Sequence, residues 1–248
     1  MIAGAPAPVQ SLWIGPKLST LEQLVIRSFL SHGHDFHLYA YEAIDGIPEG
    51  VALLDASRIL SPSRIFRYTG NGSLAGFSNF FRYKLLLENG GWWVDMDTVC
   101  LRPFDFSASE YVFSSEMHAG APVIDIAALK APPGSRLAEY AWDVCQAKDP
   151  KALRWGETGP RLLAEAVRFC GLERYVRAPE TFCPIPYRDW ESVLSPEANL
   201  EFGSETYAVH LWHELWRNTG QDKDGCYPSR CFFERLKARY LAATSAAG

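Results

Sequence analysis

The spacing of apolar residues changes along this chain between a period of two and a period of about 3.6. Strand-like and helix-like segments therefore alternate. Strand-like runs, rich in Val, Leu and aromatic residues, cover 8–15, 35–41, 92–97, 110–117, 122–129 and 206–212. Helix-like runs, with apolar residues three or four positions apart, cover 19–33, 77–91, 133–147, 158–171 and 229–243. This alternation predicts one α/β domain over residues 1–248, in which helices flank a mainly parallel central sheet.

The ends of the predicted helices carry local signals. Ser19 and Glu22 have the spacing of a capping box, which predicts a helix that starts between them. Gly90 and Gly91 predict the end of the segment that precedes the third strand. Helix signals weaken through residues 45–76, whose second half predicts a long surface loop. Long loops within compact domains are often functional.

Composition narrows the class of protein. A hydrophobic content of 48% and a charged content of 21% are typical of a folded globular chain. The net charge of -5 gives no basic footprint, so we do not expect nucleic acid as a partner. The six cysteines lack zinc-type spacing, and we find no signal peptide or membrane span. We therefore expect a reduced, cytoplasmic protein.

Two carboxylates, Asp95 and Asp97, stand at the end of an apolar run. Alternate residues of a strand share a face, so both acids are expected to point the same way and Met96 the opposite way. Such a pair repels unless a cation lies between its members, and Mg²⁺ or Mn²⁺ prefers oxygen ligands. Open α/β sheets bind ligands at the carboxyl ends of their strands. The alternative is a pair of solvated turn carboxylates, which the neighbouring "WWV" disfavours.

Arg82 lies in a predicted helix that is apolar on nearly every side, so its guanidinium needs a charged or hydrogen-bonding partner. Ser78 and Asn79 are three or four positions away and can share its face. Two roles remain open: a structural salt bridge to an acid, or a contact with a ligand. We prefer the second hypothesis.

The stretch "FSNFFRYKLLLENGGWWVDMDTV" resembles the signature of the DXD-type sugar transferases. This group includes α-1,4-galactosyltransferase-like enzymes, the initiating α-1,6-mannosyltransferases of yeast and the clostridial glucosylating toxins. Their pattern is roughly S-D-x-x-R, a Leu-rich turn and G-G-x-Y-x-D-x-D. Residues Ser78, Arg82, Gly90, Gly91, Asp95 and Asp97 match it in order. Asn79 stands where Asp is usual, which bears on the donor sugar, and Trp93 stands where Tyr is usual.

Further blocks extend the resemblance. "SLWIGPKLS" is similar to the first strand of the family, whose aromatic residue, here Trp13, stacks on the nucleotide base. "VIDIAALKAPPGS" places Asp125 where the family usually has Asn, and "GETGPRLL" resembles the helix start that follows. "AVHLWHELW" resembles the late His-x-Trp segment, with His210 and Trp212 in its two positions.

The resemblance implies a GT-A fold and a retaining transfer of a hexose from a nucleotide-diphosphate sugar, with UDP favoured over GDP. It implies Asp97 as a direct Mn²⁺ or Mg²⁺ ligand, Asp95 as a contact to ribose or sugar hydroxyls that also assists the metal, and His210 as a third ligand or a diphosphate donor. Arg82 would stabilise the diphosphate charge. The expected donor-binding set is Trp13, Ser78, Asn79, Arg82, Asp95, His210 and Trp212. Asp125 is either a nucleophile or a hydrogen-bonding residue, and the sequence leaves both open.

The expected acceptor is a glycan or a lipid-linked saccharide in bacterial polysaccharide or glycolipid synthesis. Acceptor and donor specificity is expected from residues 58–76 and from "CPIPYRDW", residues 183–190. The C-terminal helix, predicted at about 229–242, has a basic and an apolar side. It either lies on an anionic membrane or packs on the core, and the second arrangement is the preferred one.

Two other classes of function compete with this interpretation. A phosphatase of the haloacid dehalogenase type also has an apolar strand followed by D-x-D, with Lys130 as its possible later lysine. A non-catalytic carbohydrate-binding protein with the same fold would fit the departures at Asn79 and Asp125.

Overall fold

The computed structural model describes residues 7–241. Its strands are Val9–Trp13 (β1), Phe36–Ala40 (β2), Val51–Asp55 (β3), Gly91–Val94 (β4), Thr98–Cys100 (β5), Val112–His118 (β6), Ala121–Ala131 (β7) and Ala208–His210 (β8). Its α-helices are Thr20–Ser31 (α1), Ala75–Asn89 (α2), Arg136–Gln146 (α3), Pro160–Cys170 (α4), Pro179–Phe182 (α5), His213–Thr219 (α6) and Phe232–Tyr240 (α7).

The central sheet has six strands in the order β3-β2-β1-β4-β7-β6. Strands β3, β2, β1 and β4 run parallel to one another, whereas β7 runs antiparallel to both β4 and β6. Strands β5 and β8 form a separate antiparallel pair. The predicted α/β class, with a mainly parallel sheet flanked by helices, is confirmed.

Helices cover both faces of the sheet, and the two tryptophans of β4 separate to the two sides. Successive strand residues point to opposite faces, so Trp92 packs into the apolar cluster of α1 and α7, and Trp93 into that of α2, α3 and α4. Both side chains are buried. Strand β4 is therefore fixed from both sides up to the residue before the acids.

Most predicted elements are present, with shifted ends. Helix α1 has the predicted Ser19–Glu22 capping box, in which the Ser19 N–H donates to Glu22 Oε2 over 2.8 Å. Strand β3 was not predicted, because it is an edge strand whose residues are mostly exposed and so lacks apolar alternation. Strand β5 was also not predicted; it has only three residues.

The C-terminal helix packs on the core. Its apolar residues Phe232, Phe233, Leu236 and Tyr240 are buried. This face is not available to a bilayer, so the structure gives no support to membrane contact through it. The predicted extension of the helix to residue 242 lies outside the described residues. Among the helices of residues 7–241, none is long and apolar enough to cross a membrane.

Candidate active site

Two glycines let the chain turn from α2 directly into β4. Gly90 and Gly91 have φ values of 63° and 87°, a region that residues with a Cβ rarely adopt. A Cβ on Gly90 would lie 2.4 Å from the backbone nitrogen of Pro133. The turn brings α2 back along β4, which places Arg82 beside the end of that strand.

The acids lie in a turn that follows β4, which corrects the prediction of a strand over residues 92–97. Strand β4 ends at Val94, and the Thr98 N–H closes the turn by donating to the Asp95 carbonyl over 3.0 Å. The turn is held from outside, because the Leu211 N–H donates to the Asp97 carbonyl over 2.8 Å. The acids are therefore brought together by a turn rather than by strand alternation.

Asp95 is held through one of its two oxygens. Its Oδ1 accepts hydrogen bonds from Arg82 Nη2 over 2.7 Å and from the indole Nε1 of Trp93 over 2.9 Å. Burial raises the pKa of Asp95, and the Arg82 charge opposes that shift. Both contacts use Oδ1, so Oδ2 is left for a ligand.

Arg82 is buried, with 3% of its surface exposed, and it bridges three elements. Besides Asp95, it donates to the Ile126 carbonyl over 2.6 Å and to Ser78 Oγ over 3.4 Å. Its guanidinium also lies 4.8 Å from the Trp93 ring centroid. The structure thus contains the salt bridge to an acid that the sequence left as the alternative to a ligand-facing role.

Asp97 is bonded at both oxygens. Its Oδ2 accepts the backbone N–H of His213 over 2.8 Å, and its Oδ1 lies 3.2 Å from His210 Nε2. Burial alone would raise the pKa of Asp97, but its contacts with His210 and His213 together lower it. Burial alone would likewise lower the pKa of His210, yet the Asp97 carboxylate raises it to about 9. His213 contributes its backbone N–H to this contact.

Asp95, Asp97 and His210 come together as a candidate metal site. Each offers a ligand atom, and these atoms lie within 4.8 Å of one another. Two carboxylates and one imidazole suit Mn²⁺ and, less well, Mg²⁺. His210 Nδ1 is buried and has no hydrogen-bond partner within residues 7–241. The residues present fit a divalent ion.

Asp125 lies on β7, behind His210, and only 3% of it is exposed. Its Oδ2 accepts the Ala127 N–H over 2.8 Å, Ser114 Oγ over 3.3 Å and Cys183 Sγ over 3.4 Å. Ligand atoms of Asp125, Cys183 and His210 also lie within 4.8 Å of one another. A carboxylate held this firmly is suited to orienting neighbouring groups.

Ser78 and Asn79 connect α2 to the start of α4. Asn79 is buried, and its Nδ2 donates to Thr158 Oγ1 over 3.5 Å. A Cβ on Gly159 would approach the same nitrogen to 3.1 Å. Asn79 therefore packs against the "TGP" segment, and Ser78 contacts Arg82.

The candidate tryptophans occupy different places. Trp13 ends β1, donates to the Lys17 carbonyl over 3.2 Å and has Lys223 Nζ 5.0 Å from its ring centroid. Trp212 donates to the Ile185 carbonyl over 2.8 Å, and its ring centroid lies 3.9 Å from that of His210. Trp216 is fully buried in the core. Of the three, Trp212 directly contacts the metal-site residues.

Two further residues near the site were not singled out from the sequence. Glu116 on β6 is half-buried, and Tyr187 lies in the segment 183–190 that was expected to carry specificity. Glu116 and His118 alternate with the apolar Met117 at the end of a strand that begins with Val112 and Phe113. That alternation was the available signal for Glu116.

Lys130 does not serve the acids. Its Nζ donates to the carbonyls of Phe106 and Ser109 over 3.0 Å and 2.8 Å. In the sheet, Lys130 lies opposite Trp92. That position is two residues before the end of β4 at Val94, and the acids come after that end. The lysine that a dehalogenase-type phosphatase would need is thus bound elsewhere.

The acids lie at the carboxyl edge of a mainly parallel, helix-flanked sheet, an arrangement consistent with a GT-A-type α/β fold. Two family models match the chain. "Glycosyltransferase sugar-binding region containing DXD motif" matches residues 19–114, and "Alpha 1,4-glycosyltransferase conserved region" matches residues 148–240. The two matches show that the chain is similar to the DXD-motif glycosyltransferases over residues 19–114 and 148–240.

Similar proteins of known name include lactosylceramide 4-alpha-galactosyltransferase. The enzyme of Homo sapiens is 31% identical over 104 residues, which cover 36% of this chain and 28% of the enzyme. That of Rattus norvegicus is 33% identical over the same shares. The matched region spans less than half of these relatives. Among solved structures, "PaToxG Glycosyltransferase" has a TM-score of 0.48 at 14% identity, covering 66% of this chain and 69% of that one.

Proposed function

We propose that this protein transfers a hexose from a nucleotide-diphosphate sugar to a glycan or lipid-linked saccharide, with a divalent ion and retention of anomeric configuration. The observation that carries the proposal is the group of Asp95, Asp97 and His210, whose ligand atoms lie within 4.8 Å of one another in a chain similar to the DXD-motif glycosyltransferases. A divalent ion held there would offset the negative charge that grows on the leaving diphosphate.

The residues around this group have separate tasks. Asp97 is fixed by His210 and the His213 backbone, so it is the carboxylate held most rigidly towards an ion. Asp95 keeps Oδ2 for the ion or for a ribose hydroxyl, because Arg82 and Trp93 hold Oδ1. Arg82 acts on the donor through Asp95 in this arrangement. Its buried charge also lowers the electrostatic cost of placing two acids together.

The donor base would lie at the end of β1, where Trp13 is partly exposed. Ser78 and Asn79 would line the ribose or sugar region beside the start of α4. Asp125 is buried and triply bonded, which favours a hydrogen-bonding role over attack on the anomeric carbon. The preference for UDP, the cytoplasmic location and the bacterial glycan pathway stay sequence-level predictions.

Release of nucleoside diphosphate from a panel of UDP- and GDP-sugars, with Mn²⁺ and with EDTA, tests the proposal. We expect release from at least one donor with Mn²⁺ and little with EDTA. A protein that hydrolyses aryl phosphate but no nucleotide sugar would instead be a phosphatase. Complete inertness towards every donor would favour a carbohydrate-binding protein with this fold.

A further inference from the structure

The hairpin of β6 and β7 turns one of its faces towards the site. Glu116 pairs with Val123 in the antiparallel register, so the two side chains share a face of the hairpin. His118 lies two positions after Glu116 and points the same way. Ser114, at the register shift between Phe113 and Ser115, contacts Asp125 through its Oγ over 3.3 Å, and Asp125 is close enough to Glu116 to raise its pKa, so this face lies beside the metal-site residues.

A row of rings joins the metal-site residues to the tip of this hairpin. The Trp212 centroid lies 3.9 Å from that of His210, and the Tyr187 centroid lies 6.3 Å from that of Trp212. Tyr187 in turn stacks on His118, with centroids 5.6 Å apart and ring planes 14° apart. His118 is exposed, so the row runs from the buried cluster to the surface.

The Glu116 carboxylate lies against the Tyr187 backbone and has an unused hydrogen-bonding atom. Its Oε2 is buried and has no hydrogen-bond partner within the described residues. Burial raises the pKa of Glu116 to about 7, and the nearby Asp125 carboxylate adds to the shift. A buried acceptor without a donor is costly, so a group that brings a hydroxyl to it is favoured.

Charge separates the two substrates of the proposed reaction. Glu116 and Asp125 would repel a diphosphate, whereas a neutral sugar brings hydroxyl donors for the carboxylate. The Arg188 guanidinium, 5.7 Å from the Tyr187 ring centroid, adds a hydrogen-bond donor for sugar oxygens on the same side. A pyranose also has an apolar face, which can pack on an aromatic ring such as Tyr187. The side of the candidate metal site that faces Glu116 therefore suits the acceptor, and the side that faces Arg82 suits the donor.

We propose that Tyr187 and Glu116 form the acceptor subsite, in which the Tyr187 ring packs on a terminal pyranose and Glu116 accepts a hydrogen bond from one of its hydroxyls. This proposal rests on the proposed transferase function. It assigns the acceptor to the hairpin of β6 and β7 and to the segment 183–190. Tyr187 fixes the position of the sugar, and Glu116 orients its hydroxyl.

Two activities of the same preparation separate acceptor binding from donor binding. Hydrolysis of the donor is measured as nucleoside diphosphate released without acceptor. Transfer is measured with a panel of lactose and of p-nitrophenyl α- and β-glycosides of glucose, galactose, mannose and N-acetylglucosamine. An absence of both donor hydrolysis and transfer would overturn the proposed function itself. Donor hydrolysis without transfer to any glycoside would overturn the acceptor subsite alone.

Tyr187→Ala is expected to raise the KM for the acceptor about tenfold, as the loss of one aromatic contact implies. Donor hydrolysis should stay within about twofold of the parent protein, because the substitution removes no contact to the donor. A twofold change is small, since a tenfold change corresponds to about 1.4 kcal/mol. Tyr187→Phe keeps the ring and should keep the parent KM. An equal fall of hydrolysis and transfer in Tyr187→Ala contradicts the proposal.

Glu116→Gln is expected to lower transfer about tenfold to a hundredfold, the range for one hydrogen bond to a charged group. Donor hydrolysis should again be unchanged.

The matched control for Tyr187→Ala is Phe169→Ala, which truncates an aromatic residue on α4 that is 52% exposed and stacks on Tyr140. Its acceptor KM should equal that of the parent. Parent-like transfer in both Glu116→Gln and Tyr187→Ala overturns the assignment.

Discussion

The two sides of the site differ in how their polar groups are held. On the inner side, Asp95 and Asp97 each have fixed partners: Arg82 and Trp93 for the first, His210 and the His213 backbone for the second. On the outer side, Glu116 keeps a buried oxygen that has no hydrogen-bond partner within residues 7–241, and His118 is exposed. The inner acids are thus held in place by the protein itself, with Asp95 Oδ2 and His210 Nδ1 still left for a ligand, whereas on the outer side a ligand would supply the missing partner of Glu116.

This difference separates the chemistry from the choice of acceptor. Charges that must meet an ion and a diphosphate are fixed in advance, because preorganised groups need no rearrangement during reaction. Groups that recognise a sugar can stay partly solvated, at the tip of a hairpin where substitutions cost little stability. Substitutions on the inner side should therefore damage activity or folding, whereas those on the outer side should alter acceptor use.

The largest effect is expected from Asp97→Asn. Loss of one carboxylate charge removes several kcal/mol of charge stabilisation, so metal-dependent turnover should fall about a thousandfold. The amide keeps the shape of the side chain, and the far-UV circular dichroism should not change. Turnover is measured as nucleoside diphosphate release with Mn²⁺. A fully active variant would remove Asp97 from the metal site.

Arg82→Ala should come next, through stability as well as activity. It leaves Asp95 buried without its cation, which should lower the free energy of unfolding by about 3 kcal/mol, at the low end for buried pairs. Asp95 keeps 23% of its side chain exposed, which moderates the loss. Urea denaturation gives the value.

Arg82→Lys is the conservative counterpart. A point charge cannot bond Asp95 and the Ile126 carbonyl in the same fork, so donor use should still weaken strongly. Unchanged donor kinetics in this variant would argue against a role for the guanidinium.

Gly90→Ala tests the turn between α2 and β4, which places Arg82 beside the acids. A Cβ at φ 63° and 2.4 Å from the Pro133 nitrogen forces the backbone to shift. We expect a loss of about 2 kcal/mol in the free energy of unfolding. Gly203→Ala is the control, since a Cβ there meets no atom within 4 Å. Equal stability of the two variants would show that the turn tolerates a side chain.

The smallest effect is expected from Met117→Ala, on the hairpin but on the face opposite Glu116. Met117 is 39% exposed, so its truncation should change the free energy of unfolding by less than about 0.5 kcal/mol. The acceptor KM should also be unchanged. A raised KM would move the acceptor subsite to the other face of the hairpin.

The sequence predicted the parts of the fold that depend on local pattern. The capping box of α1, the end of α2 at the glycine pair and the mainly parallel sheet all follow from short-range periodicity. Strand β3 was missed because an edge strand has only one neighbour and shows no apolar alternation.

The detailed geometry of the site could not be predicted, because it depends on long-range contacts. The turn of Asp95 and Asp97 is held by the backbone of Leu211 and His213, more than a hundred residues later in the chain. The partner of Arg82 was likewise open, since a pattern shows that a buried cation needs a partner but not which one. The acids themselves were visible as an unusual pair after an apolar run.

The most direct test of the account is a thermal-unfolding measurement with UDP and Mn²⁺, alone and together, on the parent protein and on Asp97→Asn. Ligands that bind the folded state stabilise it, by about 2.7 kcal/mol at a concentration one hundred times the Kd. We predict that UDP with Mn²⁺ raises the Tm of the parent protein more than either does alone. The Asp97→Asn variant should lose this joint increase. An equal increase in the two proteins, or one that is unchanged by EDTA, would contradict a metal-held diphosphate at these acids.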